Sequence, residues 1–533
     1  MNLSYLPFIS LLLVAFGQNA WIPFFAPVAS ISGFALFWLY ALRNSPRVRF
    51  WSALIWFACV QGVQLSWMAT TEYMGLLILL VYVGLLFFLG LQFALLTYLI
   101  RPPFTLSRCA AFSGIWVLFE WIRIFPFSGF TWNPVGLSMA SVNLSLQAAS
   151  LFGIFGLSFW VMFVNLSALR ALKNPTRPAL YLFMACAAAP FLFGVYHRTT
   201  ARSSLNELST LLIQTSLLPE ERDYVHGRPE NRVIPPFEQW ERIIDLIGDQ
   251  QPDLIVLPEG ALPFKARQEV YPLSGYLQFF QDPKKRSPYV NNLTFLQALA
   301  DKTGSEIIAG LDDNKPLVNA AFHLIPNEHT ATRTEKRILV PISEYIPLKP
   351  LLAKFVLNRY GIDSSFHPGK EPTLFPGPVP IGVSICYEET FSQLTRTLCQ
   401  KGAKLLVTIS NDVWFPNSRL AQQHFDHGII RAVENGVPLI RSCNTGVTGA
   451  VDCFGRILGT APQDQPYALA VTVPLKTAFT FYSWWGDSAI LILSTFFAVK
   501  LAGNEKGRYP SSKLLKKMKR RFWPKPKQPS NDP

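Results

Sequence analysis

Residues 381–389 have the sequence Ile381-Gly-Val-Ser-Ile-Cys-Tyr-Glu-Glu389, with a single cysteine, Cys386. The apolar, β-branched run before Cys386 predicts a short buried strand, and residues 391–402 predict a helix after it. A thiol at such a corner lies near the positive end of a helix dipole, which favours a thiolate and a developing oxyanion. The alternative is a structural cysteine, because free cysteine is among the most buried residue types.

Composition indicates a membrane protein of more than one domain. The chain has 533 residues, 50% of them hydrophobic and 15% charged, and its mean hydropathy is +0.24. Residues 1–200 contain only two acidic side chains, Glu72 and Glu120. From Lys500 onward, eleven Lys and Arg face two acidic residues, so this tail carries much of the net charge of +14. A basic tail beside an apolar run favours anionic lipid headgroups over nucleic acid, so no nucleic-acid partner is expected.

The seven cysteines are scattered, and no C-x-x-C pair is present. Neither a zinc site nor a dense disulfide framework is therefore indicated. Whether Cys399, Cys443 or Cys453 form a disulfide is left open. The sequence has no Gly-rich phosphate loop, His-rich cluster or nucleotide fingerprint, so no cofactor is expected.

Apolar runs of about 20 residues are long enough to cross a bilayer. Such runs predict about eight transmembrane helices, seven before a large polar segment and one after it. They are residues 5–20, 24–42, 50–69, 75–100, 107–124, 148–170, 178–196 and 482–501. The N-terminus lacks a basic n-region and a convincing cleavage site, which favours a retained membrane segment over a cleaved signal peptide.

Basic residues between the runs predict the orientation. Every second loop is basic, and the loops that alternate with these contain no Lys or Arg. The basic loops are 43–49, 101–106 and 171–177, and the others are 21–23, 70–74 and 125–147. Both termini are thus predicted to be cytoplasmic and the polar segment extracytoplasmic. The aromatic, Gly- and Pro-containing 125–147 loop is either an interfacial loop or a floor beneath an active site.

This organisation predicts four parts of the chain. They are an N-terminal transmembrane domain (1–200), an extracytoplasmic catalytic domain (202–480), a transmembrane helix (482–501) and a basic cytoplasmic tail (502–533).

The polar segment alternates predicted strands with predicted helices, which is typical of an α/β domain. The predicted strands are 211–216, 254–258, 307–311, 320–325, 381–386, 405–410, 438–442 and 469–473. The predicted helices are 237–249, 291–302, 391–402 and 422–435, the last with Gly436 as its C-cap.

Three strand ends carry residues that can do chemistry. Glu259 follows the apolar run 255–258, where partial desolvation makes a carboxylate a better base; the alternative is a capping or solvated glutamate. Lys336 precedes an apolar stretch that ends at Glu344, and a lysine can stabilise an oxyanion as a point charge; the alternative is a surface lysine. The third is Cys386.

A Glu, a Lys and a Cys in this order, each at a strand end, resemble the nitrilase superfamily. The stretches Ile409-Ser-Asn-Asp-Val-Trp-Phe415 and Arg441-Ser-Cys-Asn-Thr-Gly-Val447 fit the same pattern. With the flanking apolar runs, nearly the whole chain resembles the apolipoprotein N-acyltransferase family. The resemblance implies an αββα sandwich joined to a membrane helical bundle.

The resemblance also implies roles for individual residues. Glu259 matches the general base, Lys336 the oxyanion-stabilising lysine and Cys386 the nucleophile. Glu344 matches a supporting glutamate, and Tyr387 and Glu388 match the supporting residues that follow the nucleophile.

The implied reaction runs through a Cys thioester. A phospholipid donates the acyl chain, and the α-amino group of a diacylglyceryl apolipoprotein accepts it. Membrane lipids are further partners. The implied location is the bacterial inner membrane, with the catalytic domain on the periplasmic side.

The chain departs from the family pattern at three places. Ile342-Ser343 stands where Phe-Gly is usual, Gly260 where Thr is frequent, and Gln214-Thr-Ser where Gln-Gly-Asn is typical. These departures concern loops that contact substrate and leave the three proposed catalytic residues intact.

Two other functions are compatible with parts of the sequence. A membrane-anchored amidase would use the same three residues, but it needs one anchor and not eight spans. A transporter is disfavoured because the apolar runs hold almost no ionisable residues. Residues 261–290 and 346–366 are rich in aromatic and apolar side chains, and they are candidates either for lids that touch the headgroup layer or for loops packed on the domain.

Overall fold

A computed structural model describes the chain over most of its length. The described residues are 4–200, 206–222, 232–269, 271–272, 289–314, 316–328, 330–350 and 365–506. Most of the basic tail and much of both candidate lids, including residues 273–288 and 351–364, lie outside the described residues.

The first 200 residues are helical. Their main helices are α1 (Leu6–Phe16), α2 (Pro23–Ala41), α3 (Pro46–Gln64), α4 (Ile78–Leu99), α5 (Leu106–Ile122), α6 (Ala149–Lys173) and α7 (Arg177–His197). Their starts follow ordinary capping rules, since the hydroxyl groups of Ser45, Thr105 and Thr176 accept the first free N–H groups of α3, α5 and α7. Helix α2 contains a π-helical segment over Ala29–Gly33.

The count of about eight transmembrane helices is not confirmed. Among the described helices, four are long and apolar enough to cross a membrane: α2, α4, α6 and α7. Helix α1 and the C-terminal apolar helix, Ser488–Asn504, are shorter. Helices α3 and α5 overlap predicted runs but contain charged residues, among them Arg49 and Glu120.

Residues from Glu207 to Pro474 form two six-stranded sheets and a two-stranded one. The strands are β1 (Glu207–Gln214), β2 (Leu254–Val256), β3 (Tyr271–Pro272), β4 (Tyr289–Val290), β5 (Glu306–Asn314), β6 (Leu317–Leu324), β7 (Thr332–Glu335), β8 (Leu374–Phe375), β9 (Ile381–Ile385), β10 (Leu405–Ser410), β11 (Leu439–Cys443), β12 (Gly449–Val451), β13 (Ile457–Thr460) and β14 (Tyr467–Pro474). The strand orders are β14-β1-β2-β5-β6-β7, β13-β12-β11-β10-β9-β8 and β3-β4. The strands that lead to Glu259 and Cys386 are parallel to their neighbours β1, β5 and β10.

The two large sheets pack face to face, with helices on both outer sides. The helices of the sandwich are α8 (Pro236–Ile247), α9 (Asn292–Thr303), α10 (Ser392–Gln400) and α11 (Leu420–Asn435). A further helix, α12 (Ser488–Lys506), follows the sandwich in the chain. Alternate side chains of a strand face opposite sides. Accordingly, Val256 and Val407 meet in the core between the sheets, whereas Ile255 packs toward α8 and α9, and Leu406 toward α10 and α11. The αββα sandwich is therefore confirmed.

All eight predicted strands and all four predicted helices of this domain are present, with shifted ends. Gly436 is the C-cap of α11, with a φ of 64°. One difference bears on the site: the helix expected directly after Cys386 begins only at Ser392, because a 3₁₀ turn over Cys386–Thr390 comes first.

Helix α11 also packs against the N-terminal helices. The Trp67 indole donates to the Gln423 side chain at 3.0 Å, and Gln423 donates to the Gln64 carbonyl at 2.7 Å. Farther along, the Glu434 carboxylate accepts the Ile154 N–H at 2.7 Å, where Gly153 breaks α6 with a φ of 64°. The αββα sandwich is thus joined to the N-terminal helices through buried polar contacts.

Candidate active site

Cys386 directly follows β9 and has a strained backbone conformation. Its φ is 52°, in the left-handed region that residues with a Cβ rarely adopt. The side chain is partly exposed, whereas the other residues of the 386–390 turn are buried. The sulfur is therefore held at a sharp strand-to-turn corner.

Glu259 lies at the end of β2, against β5. A Cβ at Gly310 would come within 2.6 Å of the Glu259 Cα, so only glycine allows this close approach of the two backbones. The next residue, Gly260, has a φ of 64°, and a Cβ there would meet the Arg222 guanidinium at 2.7 Å. Arg222 is held by Asp312 at 2.6 Å, which gives a physical reason for glycine at position 260.

Lys336 is buried between two carboxylates and is not a surface lysine. Its exposed fraction is 1%. The Nζ atom lies 2.7 Å from Glu344 Oε1 and 3.2 Å from Glu259 Oε1. The Asn319 amide donates to the same two oxygens, at 2.6 Å to Glu259 and 3.2 Å to Glu344. The Glu259 carboxylate is thus anchored through one oxygen.

Glu259 and Glu344 differ in how many of their carboxylate oxygens accept hydrogen bonds. Glu344 is held at both oxygens, because its Oε2 accepts the Val340 N–H at 2.8 Å. Among the described residues, none donates a hydrogen bond to Glu259 Oε2. Within the described part of the chain, Glu259 thus keeps one oxygen without a donor, whereas both oxygens of Glu344 are occupied.

The electrostatics of the thiol contradict one expectation. Burial raises the pKa of Cys386 far above its usual range, and the Glu259 carboxylate raises it further, while Lys336 lowers it. A helix dipole favouring the thiolate does not dominate, since a 3₁₀ turn and not a helix follows the cysteine. Burial would lower the pKa of Lys336, but Glu259 and Glu344 raise it well above its usual value. The resting site thus holds a neutral thiol beside a fixed ammonium.

The Glu388 carboxylate joins the lysine segment to the cysteine strand. Its Oε1 accepts the N–H groups of Arg337 (2.6 Å) and Ile338 (3.2 Å), and its Oε2 accepts the N–H of Ile385 (2.9 Å). These residues directly follow Lys336 and precede Cys386. Glu388 is 1% exposed, so these bonds are shielded from water.

Tyr387 points to the helical part of the chain. Its hydroxyl donates to the Gly129 carbonyl at 2.8 Å, and its ring stacks on Trp132 with centroids 5.9 Å apart. A further contact joins Ser128 to the Tyr345 hydroxyl at 3.0 Å. Of the two alternatives for the 125–147 loop, these contacts favour a floor beneath the Cys386 turn.

Sequence reasoning missed a buried polar cluster behind Cys386. His424 Nδ1 lies 2.9 Å from Asp412 Oδ1, and His424 Nε2 lies 3.1 Å from the Cys386 carbonyl oxygen. Arg441 donates to Asp412 at 3.2 Å and to Glu389 at 3.1 Å. Burial raises the pKa of Asp412, but the interactions with His424 and Arg441 outweigh burial and lower this pKa to about 2. The quoted stretches contained Asp412, Arg441 and Glu389, but no local signal linked them to His424.

All seven cysteines are free thiols, so Cys399, Cys443 and Cys453 form no disulfide. Over the described residues, no group of three or more His, Cys, Asp or Glu side chains is arranged to hold a metal ion.

Two family models match separate parts of the chain, and one solved structure is similar to part of it. A family model described as carbon-nitrogen hydrolase matches residues 231–479, and one described as the apolipoprotein N-acyltransferase N-terminal domain matches residues 11–167. An amidase of the nitrilase superfamily from Nesterenkonia AN1 has 18% identity and a TM-score of 0.33, over 50% of this chain and 90% of that chain.

Relatives from Chlamydia match nearly end to end. A protein from Chlamydia pneumoniae named apolipoprotein N-acyltransferase is 30% identical, over 96% of this chain and 98% of its own length. One of the same name from Chlamydia caviae is 31% identical, over 91% of this chain and 94% of its own length. The chain therefore belongs to the apolipoprotein N-acyltransferase family.

Proposed function

We propose that the protein moves a fatty acyl chain from a phospholipid to the α-amino group of a diacylglyceryl-cysteine apolipoprotein. The observation that carries the proposal is the convergence of a proton acceptor, Glu259, and an ammonium, Lys336, on the Cys386 thiol. Each of these side chains affects the pKa of that thiol. Family membership supplies the acceptor class, and the N-terminal helices supply access to lipid.

In the first half-reaction, the Cys386 sulfur attacks the carbonyl carbon of the acyl ester. Glu259 Oε2 takes the thiol proton as the C–S bond forms, because the raised pKa leaves almost no free thiolate at neutral pH. The carbonyl electron pair moves to oxygen, where Lys336 and the N–H of Tyr387 stabilise the charge. Collapse breaks the ester C–O bond, and the proton on Glu259 passes to the leaving oxygen. A lysophospholipid departs and a thioester remains.

In the second half-reaction, the apolipoprotein amine attacks the thioester carbon. Glu259 accepts a proton from the attacking nitrogen, and the same donors hold the oxyanion. The C–S bond then breaks, the sulfur regains a proton from Glu259, and an amide is formed. Water must be kept from the thioester, and the apolar floor formed by Trp132 and the neighbouring loop supports this role.

The proposed arrangement places residues 1–200 and 482–501 in the bacterial inner membrane, with residues 202–480 on the periplasmic side. The 125–147 loop then lies between the bilayer and the Cys386 turn. The basic loop charges support this orientation. Residues 502–533 form a basic cytoplasmic tail in this arrangement.

The test uses full-length protein in detergent with one phospholipid of defined acyl chains. Intact-mass and peptide analysis are expected to show a hydroxylamine-labile fatty acyl adduct on Cys386. Adding a diacylated lipopeptide is expected to discharge the adduct and to give an N-acylated lipopeptide. Discharge to free fatty acid, with no amide formed, would identify an amidase-type hydrolase instead. N-acylation by a Cys386→Ala variant would overturn the proposal.

A further inference from the structure

The carbonyl group of Cys386 is held by a buried histidine on a neighbouring helix. His424, on α11, is 1% exposed, and its Nε2 atom lies 3.1 Å from the Cys386 carbonyl oxygen and 3.5 Å from Glu389 Oε2. Its Nδ1 atom lies 2.9 Å from Asp412 Oδ1. The carbonyl oxygen of Cys386 can only accept a hydrogen bond, so the N–H at Nε2 of the imidazole is the donor of this contact.

The groups around His424 fix its position. Asp412 is also held by Arg441 at 3.2 Å and by the Ser410 hydroxyl at 3.1 Å. Arg441 also reaches Glu389 at 3.1 Å, so one guanidinium links the two carboxylates that face the ring. On the other side, the Trp132 ring packs against the imidazole edge, with centroids 4.9 Å apart. The imidazole is therefore locked by its surroundings and not by Cys386 alone.

Holding the Cys386 carbonyl also sets the direction of the next N–H group. A trans peptide is planar, and its C=O and N–H bonds point in opposite directions. The N–H of Tyr387 therefore points away from α11. This N–H is the backbone donor assigned to the oxyanion in the proposed function.

We propose that His424 is a positioning residue that orients the Cys386–Tyr387 peptide, so that the Tyr387 N–H faces the oxyanion of the acyl substrate. The inference rests on the proposed function, because it requires Cys386 to be the nucleophile. His424 touches neither the sulfur nor the substrate in this account. It acts through the peptide that it holds.

Two substitutions separate the two hydrogen bonds of the ring. In His424→Gln the side-chain amide reaches the position of Nε2 and can donate to the Cys386 carbonyl. In His424→Asn the amide reaches only the position of Nδ1, so the contact with Asp412 is kept and the contact with Cys386 is lost. One donor to an oxyanion is worth about 100-fold in rate, so His424→Asn is expected to slow thioester formation by about that factor. His424→Gln is expected to lose no more than about tenfold.

A second measurement separates orientation from structural damage. Alkylation of Cys386 by iodoacetamide forms a C–S bond without an oxyanion, so both variants are expected to be alkylated within about threefold of the wild-type rate. The KM for phospholipid is likewise expected to stay within about threefold, so the loss lies in kcat. Equal rates of thioester formation in the two variants would overturn the inference. So would a parallel loss of alkylation in His424→Asn, because that shows a displaced thiol.

If His424→Asn does not accumulate as folded protein, Asp412→Asn provides the comparison. It leaves the Cys386 contact in place and removes the carboxylate that aims the ring. Slower thioester formation with alkylation no slower than in the wild type supports the inference, and an unchanged rate of thioester formation overturns it. Failure of the proposed function is seen separately, because the wild-type protein would then form no acyl adduct on Cys386.

Discussion

Replacing Glu388 by glutamine tests whether the lysine segment and the cysteine strand must be held together. The carboxylate accepts two N–H groups through Oε1, from Arg337 and Ile338, and one through Oε2, from Ile385. Glutamine has the same shape but only one acceptor oxygen. In its less costly orientation the amide NH₂ faces the Ile385 N–H, so one charge-assisted hydrogen bond is lost and a buried donor is left without an acceptor.

A hydrogen bond to a charged group contributes about 1.5–3 kcal/mol. If that amount is lost from the alignment of Lys336 with Cys386, the rate of thioester formation falls by about 10- to 100-fold, since about 1.4 kcal/mol corresponds to a factor of ten. The assay is single-turnover formation of the acyl-enzyme from phospholipid in mixed micelles, followed by intact mass.

The matched control is Glu238→Gln, which removes one partner of an exposed ion pair with Arg242. Exposed pairs contribute little, so its rate is expected to stay within about twofold of the wild type. A Glu388→Gln protein that forms the thioester within about threefold of the wild-type rate would show that this clamp does not align the site.

Three further changes probe the remaining parts of the site. After burial, the Glu259 carboxylate is the largest influence that raises the pKa of Cys386, so Glu259→Gln lowers that pKa. Alkylation of Cys386 at pH 8 is expected to become faster, while acyl transfer falls at least about 100-fold because the base is lost. Tyr387→Phe removes the hydrogen bond to the Gly129 carbonyl, and about 1 kcal/mol of stability is expected to be lost in denaturant titrations. Gly310→Ala places a Cβ 2.6 Å from the Glu259 Cα, and it is expected to reduce acyl transfer at least about tenfold through displacement of the base.

Each of these changes has an internal reference. A cysteine-containing peptide added to the same reaction reports the general rate of alkylation. Labelling of Cys386 in Glu259→Gln that is slower than in the wild type, relative to this peptide, would contradict the sign given above. Tyr345→Phe removes a less buried hydroxyl contact, and an equal loss of stability there would deny a special role to the Gly129 contact. Gly84→Ala adds a Cβ in open space on α4, so a loss of activity equal to that of Gly310→Ala would contradict the steric argument.

The strands and the residues at their ends were predictable because their signals are local. Short apolar runs followed by Glu259 and Cys386 identify strand ends directly. Lys336 instead follows a polar strand, β7, which was not predicted, and its place in the sequence was recognised from the apolar stretch that follows it. Asn319 was not predictable, because an asparagine inside a strand shows no sign of the two carboxylates that it bridges. The contact between His424 and Cys386 was not predictable either, since it joins a helix to a turn 38 residues away.

The prediction that the helix dipole favours a Cys386 thiolate was wrong for a related reason. The prediction considered only the local dipole after Cys386, whereas burial and a carboxylate from the other sheet have the larger effect. The predicted number of membrane crossings was a count of apolar runs of about 20 residues. The helix formed within such a run can be shorter than the run itself: α5 has only 17 residues, whereas about 20 are needed to cross a bilayer.

The charges around the thiol give a physical reason for a protonated resting state. Glu259 and Glu344 share one ammonium, Lys336, so this cluster carries an excess of negative charge that disfavours a thiolate beside it. In the proposed mechanism the thiol proton moves to Glu259, and the excess disappears at the moment when the substrate oxygen becomes negative. Lys336 is then balanced by Glu344 alone and no longer by two carboxylates, so its attraction for the oxyanion is greatest when the oxyanion forms. The same transfer that activates the nucleophile therefore strengthens the group that stabilises the tetrahedral intermediate.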